Sequence, residues 1–246
     1  MAHILKTRGI VLRTYPFKES SLLCSIFSEK FGRLKINAKG ARRPKSKFCG
    51  TLEPFIHSEV IYYKRETKDV YTLSEAVVIE NFPNLRTSPN RLAGAEAICE
   101  FIDRTTVVEE PNPPLYAELL GFLRKLSAAE EEIVGLWTIL ALFKLLRFAG
   151  VEPNLKHCVR CRKVIPVDSK INFSIPAGGL VCENDLDEST VRLNKEVYEY
   201  LLHAQKGLLI EGVEPGVFWP LRELFEAYIY HHLNGLFLKT LNFLKY

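Results

Sequence analysis

Three cysteines and an aspartate stand as Cys158-Val-Arg-Cys161 and Cys182-Glu-Asn-Asp185, two pairs of equal internal spacing with twenty residues between Cys161 and Cys182. Two thiolates three positions apart on a tight turn are how a chain offers soft ligands to zinc. The fourth position holds a carboxylate, a weaker zinc ligand, and His157 offers an imidazole beside Cys158. Bound zinc, a metal-free remnant and dithiol redox chemistry are the three readings of this set. In the first two the role is structural, because Ala177-Gly178-Gly179 with Pro153, Pro166 and Pro176 describe an irregular insertion that needs a tie. No His-rich open site with a positioned base accompanies it, so catalytic zinc is not expected.

A second set of chemistry-bearing residues precedes it. Between Glu29 and Glu53 there is no acid, while Lys30, Arg33, Lys35, Lys39, Arg42, Arg43, Lys45 and Lys47 place eight cations within eighteen positions. Residues 1–80 carry 15 Lys/Arg against 8 Asp/Glu and the remainder 18 against 21, so the formal net charge of +4 belongs to the N-terminal part. Dispersed charge of both signs suffices for solubility, whereas a one-sign stripe repels itself unless a polyanion visits it. Arginine adds a planar fork that matches phosphate oxygens. These eight cations are the candidate nucleic-acid-binding residues. Phe31 and Phe48, at turns beside them, are the candidate base-stacking rings among Tyr15, Phe17, Phe31, Phe48, Tyr62 and Tyr63.

The elements that must position these groups follow from periodicity. Gly9–Arg13, Leu22–Ser28, Leu34–Ala38, Phe55–Tyr63 and Tyr71–Val78 alternate as five strands. In the third, Leu34, Ile36 and Ala38 face one way and Arg33, Lys35, Asn37 and Lys39 the other, so a buried row backs a basic one. Gly40 then turns the chain into a mobile basic loop, Ala41 to Lys47. Five short strands suit a small barrel, an OB-fold first and an SH3-like barrel as runner-up. After Asn81-Phe82-Pro83 the spacing becomes helical: a stripe of Leu92, Ala95, Cys99 and Ile102, a helix opened by Pro113-Pro114, a third over Glu130–Ala149, a fourth over Lys195–Ala204 capped by Asn194, and a fifth from about Pro220 to Leu244. The expected architecture is multidomain α+β. A five-stranded OB-fold barrel (1–80) precedes an all-α helical domain (81–246) that carries a zinc-finger-like insertion at about 153–190.

Several function classes are disfavoured. There is no P-loop, no G-x-G-x-x-G and no G-x-S-x-G, and the acid pairs Glu109-Glu110 and Glu131-Glu132 sit at helix starts or in a loop, so an enzyme is not expected. Adjacent His231 and His232 diverge by about 100° on a helix and are read as packing or surface residues. Cys24, Cys49 and Cys99 are plain thiols. Lys144 and Arg147 could line a groove for an acidic peptide, against the plainer reading of charge at a helix C-terminus. No uninterrupted apolar leader opens the chain and Ile133–Ala149 contains Lys144 and Arg147, so a cytoplasmic protein without membrane contact is expected.

At Gly9-Ile10-Val11-Leu12, Glu19-Ser20-Ser21, Phe27-Ser28-Glu29 with Gly32, and Ala38-Lys39-Gly40-Ala41-Arg42, the sequence resembles the bacterial RecO family of DNA-repair proteins, with a further likeness at the cysteine cluster and Gly178-Gly179. The resemblance implies an OB-fold followed by a helical domain with a zinc-finger-like insertion. It implies a non-enzymatic recombination mediator that binds single- and double-stranded DNA, anneals complementary strands, and with RecR helps RecA replace single-strand-binding protein. The matching basic positions are Arg33, Lys35, Lys39, Arg42 and Arg43. Many relatives complete a four-cysteine zinc site, from which Asp185 departs. A different class of function is an adaptor whose helical domain recruits partners while the barrel only tethers nucleic acid; an RNA-directed OB protein is a third.

Overall fold

The computed structural model describes residues 2–65, 67, 69–166, 170–207 and 215–245. They form two compact units, Met1–Ala129 and Glu130–Tyr246. The change from strand to helix falls where the periodicity changes, near residue 80, but the boundary between compact units lies at Ala129/Glu130, so two helices belong with the barrel.

The first unit is built on β1 (Ala2–Phe17), β2 (Ser21–Ser28), β3 (Gly32–Ala38), β4 (His57–Arg65) and β5 (Tyr71–Glu80), closed in the order β1-β2-β3-β5-β4. This is the order of an OB-type Greek-key barrel, closed by a parallel β3–β5 pair at Ile36↔Tyr71. Strand β1 serves both sides of the closure. Ala2–Ile10 pair with β4, a bulge between Val11 and Arg13 bends the strand, and Arg13–Phe17 pair with β2 alone. That one-sided stretch explains why β1 runs through Pro16, which reads as a breaker in the sequence: beyond Ile10 the strand has left β4, so the missing N–H of Pro16 faces no second partner. The barrel is filled from alternate positions, among them Val11, Ile26, Leu34, Ile36, Val60, Tyr62 and Leu73.

Helices α1 (Pro89–Thr105) and α2 (Pro113–Ala128) complete the unit. Each starts with a proline behind a capping side chain: Ser88 accepts from the Arg91 N–H and Asn112 from the Leu115 N–H.

The second unit contains α3 (Val134–Leu145), α4 (Lys195–Lys206) and α5 (Phe218–His232), with a three-stranded sheet of order β7-β6-β8 formed by β6 (Asn172–Ser174), β7 (Gly179–Val181) and β8 (Thr190–Arg192). Asn194 caps α4 through the Val197 N–H and Gly207 ends it in the left-handed region, as the sequence pattern indicates. Two helices are shorter than periodicity suggests. Glu131–Ile133 form a 3-10 turn before α3, and the chain leaves α3 in turns over Leu146–Gly150. Helix α5 stops at His232 rather than continuing to Leu244, because Asn234 (φ 51°) and Gly235 (φ 75°) reverse the chain. Among the described residues no helix is long and apolar enough to cross a membrane.

Candidate nucleic-acid interface and metal centre

The register across β1, β2 and β3 defines one outer face. Arg13 pairs with Ser25 and Ser25 with Lys35; Tyr15 pairs with Leu23 and Leu23 with Asn37. Side chains two apart on a strand point the same way, so Arg13, Tyr15, Lys35 and Asn37 share this face, while Cys24, Ile36 and Ala38 fill the barrel.

The eight predicted cations divide into two groups. Lys30, Lys35, Lys39, Arg42, Arg43, Lys45 and Lys47 are exposed, and none has an ion-pair partner among the described residues. Arg33 is different and leaves the predicted binding set. Its guanidinium donates to the Thr106 carbonyl from Nε (3.2 Å) and Nη2 (2.9 Å), and lies 3.6 Å from Asp103. Its own carbonyl accepts from the Glu109 N–H at 3.0 Å. Asp103 also accepts from Ser25 Oγ at 2.5 Å, so the end of α1 covers the Arg33 end of the face and leaves the Lys39 end open.

The segment after β3 is not the mobile loop expected from its composition. Successive turn hydrogen bonds run Arg43 to Gly40, Ser46 to Arg43, Cys49 to Ser46 and Thr51 to Phe48, each N–H to carbonyl. Phe48 and Leu52 anchor these turns in the barrel core. Phe48 is 5% exposed, so its ring is core rather than a stacking surface, although the Lys47 ammonium lies 5.2 Å from its centroid. Phe31 is also withdrawn: half-buried, it packs on the core and meets Tyr62 edge-on at 6.3 Å. The exposed ring on the basic face is Tyr15, 44% accessible, with the Arg13 guanidinium 5.5 Å from its centroid. Alternation carried two residues beyond Arg13 would have found it.

The cysteine set converges. One ligand atom from each of Cys158, Cys161, Cys182 and Asp185 lies within 4.8 Å of all the others, and among the described residues His157 is not part of the group. The thiols of Cys158 and Cys182 donate to Asp185 Oδ2 at 3.1 and 2.9 Å, and Cys161 and Cys182 Sγ are 3.6 Å apart. Local backbone brings them together. The Arg162 N–H returns to the Cys158 carbonyl with Arg162 at φ 64°, which closes the first turn. The Asp185 N–H returns to the Cys182 carbonyl and closes the second. Val159 donates to Leu180 and Leu180 to Asn154, fastening the first turn to β7, whose end carries Cys182. Gly179 is required there, since a Cβ would stand 2.5 Å from the Asn154 carbonyl oxygen. Hydrogen bonds from the Cys182, Cys161 and Cys158 thiols hold the Asp185 carboxyl at about 2. Of the predicted 153–190 segment, 167–169 lie outside the described residues.

Other expectations resolve plainly. The Lys144 side chain lies against Gly207 at the C-terminal end of α4, where a cation complements the helix dipole, and Arg147 lies over the Phe148 ring; the two do not frame a shared peptide groove. His232 Nε2 meets the Ile175 carbonyl at 2.7 Å and its ring packs on Tyr228, a packing role. Glu109 accepts from Lys64 at 2.8 Å and from the Tyr71 hydroxyl. Cys24 and Cys99 are buried, which pushes the Cys24 thiol up to about 12, and Cys49 is exposed.

Two family descriptions match this chain, "Recombination protein O N terminal" over residues 1–82 and "Recombination protein O C terminal" over residues 86–242. A protein of Alkaliphilus metalliredigens named DNA repair protein RecO is 30% identical over 98% of this chain and 99% of its own. Proteins of the same name from an Exiguobacterium strain (31%, 96% of this chain, 93% of its own) and from Bacillus subtilis (26%, 98% and 94%) are similar throughout. With both halves matched and the barrel, the helices and the cysteine cluster in place, the chain belongs to the RecO family of DNA-repair proteins.

Proposed function

We propose that this protein is a non-enzymatic recombination mediator that holds single- and double-stranded DNA on the outer β1–β2–β3 face of its barrel and anneals complementary strands. With RecR, it assists RecA in replacing single-strand-binding protein. The observation that carries the reading is the row of exposed cations, Lys35, Lys39, Arg42, Arg43, Lys45 and Lys47, without ion-pair partners among the described residues, on a closed five-stranded barrel. Exposed cations on β3 and in the hydrogen-bonded turns that follow it can neutralise two strands at once, which lowers their repulsion while bases pair. Backbone phosphates rather than base edges dominate such a surface, so affinity is salt-dependent and nearly indifferent to sequence. The test is annealing of complementary oligonucleotides together with the salt dependence of single-strand binding, using a variant with Lys35, Arg42, Lys45 and Lys47 all changed to Gln. Each lost single-strand phosphate contact should flatten the log–log slope by about 0.7. An unchanged slope and an unchanged annealing rate would refute the basic-face reading.

The donor set of Cys158, Cys161, Cys182 and Asp185 suits zinc. A metal with 2.3 Å bonds to sulfur places tetrahedral thiolates about 3.8 Å apart, close to the 3.6 Å between Cys161 and Cys182. Zinc held there would cross-link the two turns and take no part in a reaction. Protein purified without chelator should contain about one equivalent; below about a tenth, the assignment fails.

The adaptor reading rests on a separate observation. Trp219, Tyr230, Phe237 and Phe243 of the second unit are 46–68% exposed, and aromatic rings are enriched where partners dock. Trp219→Ala with Tyr230→Ala in the full chain should leave DNA binding intact and weaken RecR capture if that surface recruits it; undiminished capture rejects the adaptor reading for these rings.

A further inference from the structure

The three sulfurs of the cysteine cluster are not equivalent. Cys158 is fully buried, whereas Cys161 is exposed and Cys182 half-buried, and the two accessible sulfurs are 3.6 Å apart. They belong to different turns, Cys161 to the one closed by the Arg162 N–H and Cys182 to the one closed by the Asp185 N–H. Backbone holds the turns against each other as well as side chains do: Val159 donates to Leu180, and Leu180, two residues before Cys182, donates to Asn154. A disulfide is about 2.0 Å long, so the two sulfurs need approach by only about 1.6 Å to form one.

Asp185 limits what oxidation of this group yields. Four sulfurs can close two disulfides; three sulfurs and a carboxylate close one and leave one thiol. Cys158, buried and donating to Asp185 Oδ2 at 3.1 Å, is the thiol that an oxidant in water reaches least. Which pair closes matters to the fold. A Cys158–Cys161 bridge would lie within the first turn and leave the second untied. A Cys161–Cys182 bridge spans the same two turns that a metal at this site joins.

We propose that Cys161 and Cys182 are a redox pair that hydrogen peroxide converts to a disulfide, replacing a metal cross-link between the two turns with a covalent one and leaving Cys158 reduced. A thiol bound to zinc is deprotonated, and the thiolate is the form that a peroxide oxidises. The exposed Cys161 thiolate attacks the peroxide; the O–O bond breaks, hydroxide leaves and Cys161 becomes a sulfenic acid. The Cys182 thiolate then attacks the Cys161 sulfur, the S–S bond forms as the S–O bond breaks, and a second hydroxide leaves. Two electrons have passed from the sulfur pair to the peroxide, and each hydroxide takes a proton to become water. Two ligands are consumed, so the metal is released while the turns stay tied. The proposal rests on the zinc reading for that release alone; the disulfide requires only the two sulfurs.

Full-length protein purified without chelator and treated with a small molar excess of hydrogen peroxide tests this, with a chromogenic chelator reporting free zinc and alkylation with tryptic mass spectrometry reporting the thiols. Trypsin cuts after Arg160 and Arg162, so Cys158 and Cys161 fall on different peptides and each pairing has its own mass. The expected product joins Cys161 to Cys182, leaves Cys158 open to alkylation after unfolding, releases the zinc and is reversed by dithiothreitol. It should melt about 5 °C or more above reduced protein stripped of metal, the effect of a bridge that closes a loop of this length. Cys158→Ser should still close the bridge. A main product bridged through Cys158, or oxidised protein that melts with the stripped form, would overturn the proposal. Protein that closes the Cys161–Cys182 bridge but never held zinc sinks the zinc reading and leaves the redox pair standing. Protein that holds zinc and shows no such bridge after oxidation sinks the pair and leaves the zinc reading standing.

Discussion

The cysteine cluster and the basic face were both conspicuous as runs of like chemistry, yet tertiary structure treats them differently. In the cluster all four named side chains, Cys158, Cys161, Cys182 and Asp185, meet within 4.8 Å. On the barrel the named set divides: seven cations stay in solvent, Arg33 ties β3 to the end of α1, and Phe31 and Phe48 pack into or against the core. A metal set is useful only when every ligand arrives, so its spacing already encodes convergence. Cations act singly, each free to be taken by a nearby carboxylate or carbonyl, so a charge run does not say which members face a ligand.

Breaking the cluster should therefore be all-or-none, and this is the largest expected effect. If the cluster holds the proposed zinc, Cys182→Ser should lose it as completely as a triple cysteine replacement and lower the melting temperature; retained metal measured by atomic absorption would contradict it. Next comes Phe48→Ala. A ring 5% exposed in the barrel core should cost about 3–5 kcal/mol in denaturant unfolding, with DNA affinity per folded molecule unchanged. A selective loss of single-strand binding with normal stability would restore Phe48 as a stacking ring.

Arg33→Ala should cost about 2 kcal/mol of barrel stability through its hydrogen bonds to Thr106, and the salt slope of DNA binding should not change. A slope flattened as much as by Lys35→Gln would return Arg33 to the DNA surface. Tyr15→Leu keeps an apolar side chain but removes a ring 44% exposed; single-strand affinity should fall by about 1 kcal/mol, the low end for stacking on an aromatic side chain.

The smallest effect concerns pH. His57 is buried and meets the Tyr116 hydroxyl at 2.8 Å. Burial, with help from Arg124 and Arg8 and against the nearby Glu80, holds its pKa below the ordinary 6.5. The unfolded chain then binds the proton more readily than the folded one. This contribution to stability is complete above about pH 6.5 and is lost as the pH falls below that value toward the lowered folded-state pKa. The decline in barrel melting temperature between pH 7.5 and 5.5 should be shallower in His57→Gln; equal slopes would show that His57 is not a source of it.

Much of the fold is legible from residue order. Period-two alternation marks the five barrel strands but not the three-residue strands β6, β7 and β8, which are too short to show a period, and Asn194 with Gly207 marks both ends of α4, because these signals depend on neighbours a few residues away. The misses are also physical. Pro16 hides the end of β1 because proline is excluded only where a second strand needs its N–H, and sequence does not say where β1 departs from β4. The Lys-rich segment after β3 reads as loose because its anchors, Phe48 and Leu52, are two apolar residues whose destination in the core is set by barrel closure. Tyr15 and Asn37 lie twenty-two positions apart, and only the β1–β2–β3 register puts them on one row.

What the sequence by itself determined is therefore local: the pairing of Cys158 with Cys161 and of Cys182 with Asp185, the sidedness of each strand, the sign of the barrel's charge and the helix caps. Tertiary structure alone decided which cations remain free, which rings are wet, and that Lys18, Ser20 and Asn37 share a cleft with Lys39 and Arg43. The reason is range. Alternation, capping and knuckle spacing act within a turn or a strand, whereas exposure depends on what packs from elsewhere in the chain: the end of α1 lies over Arg33, while Lys39 is exposed among the described residues.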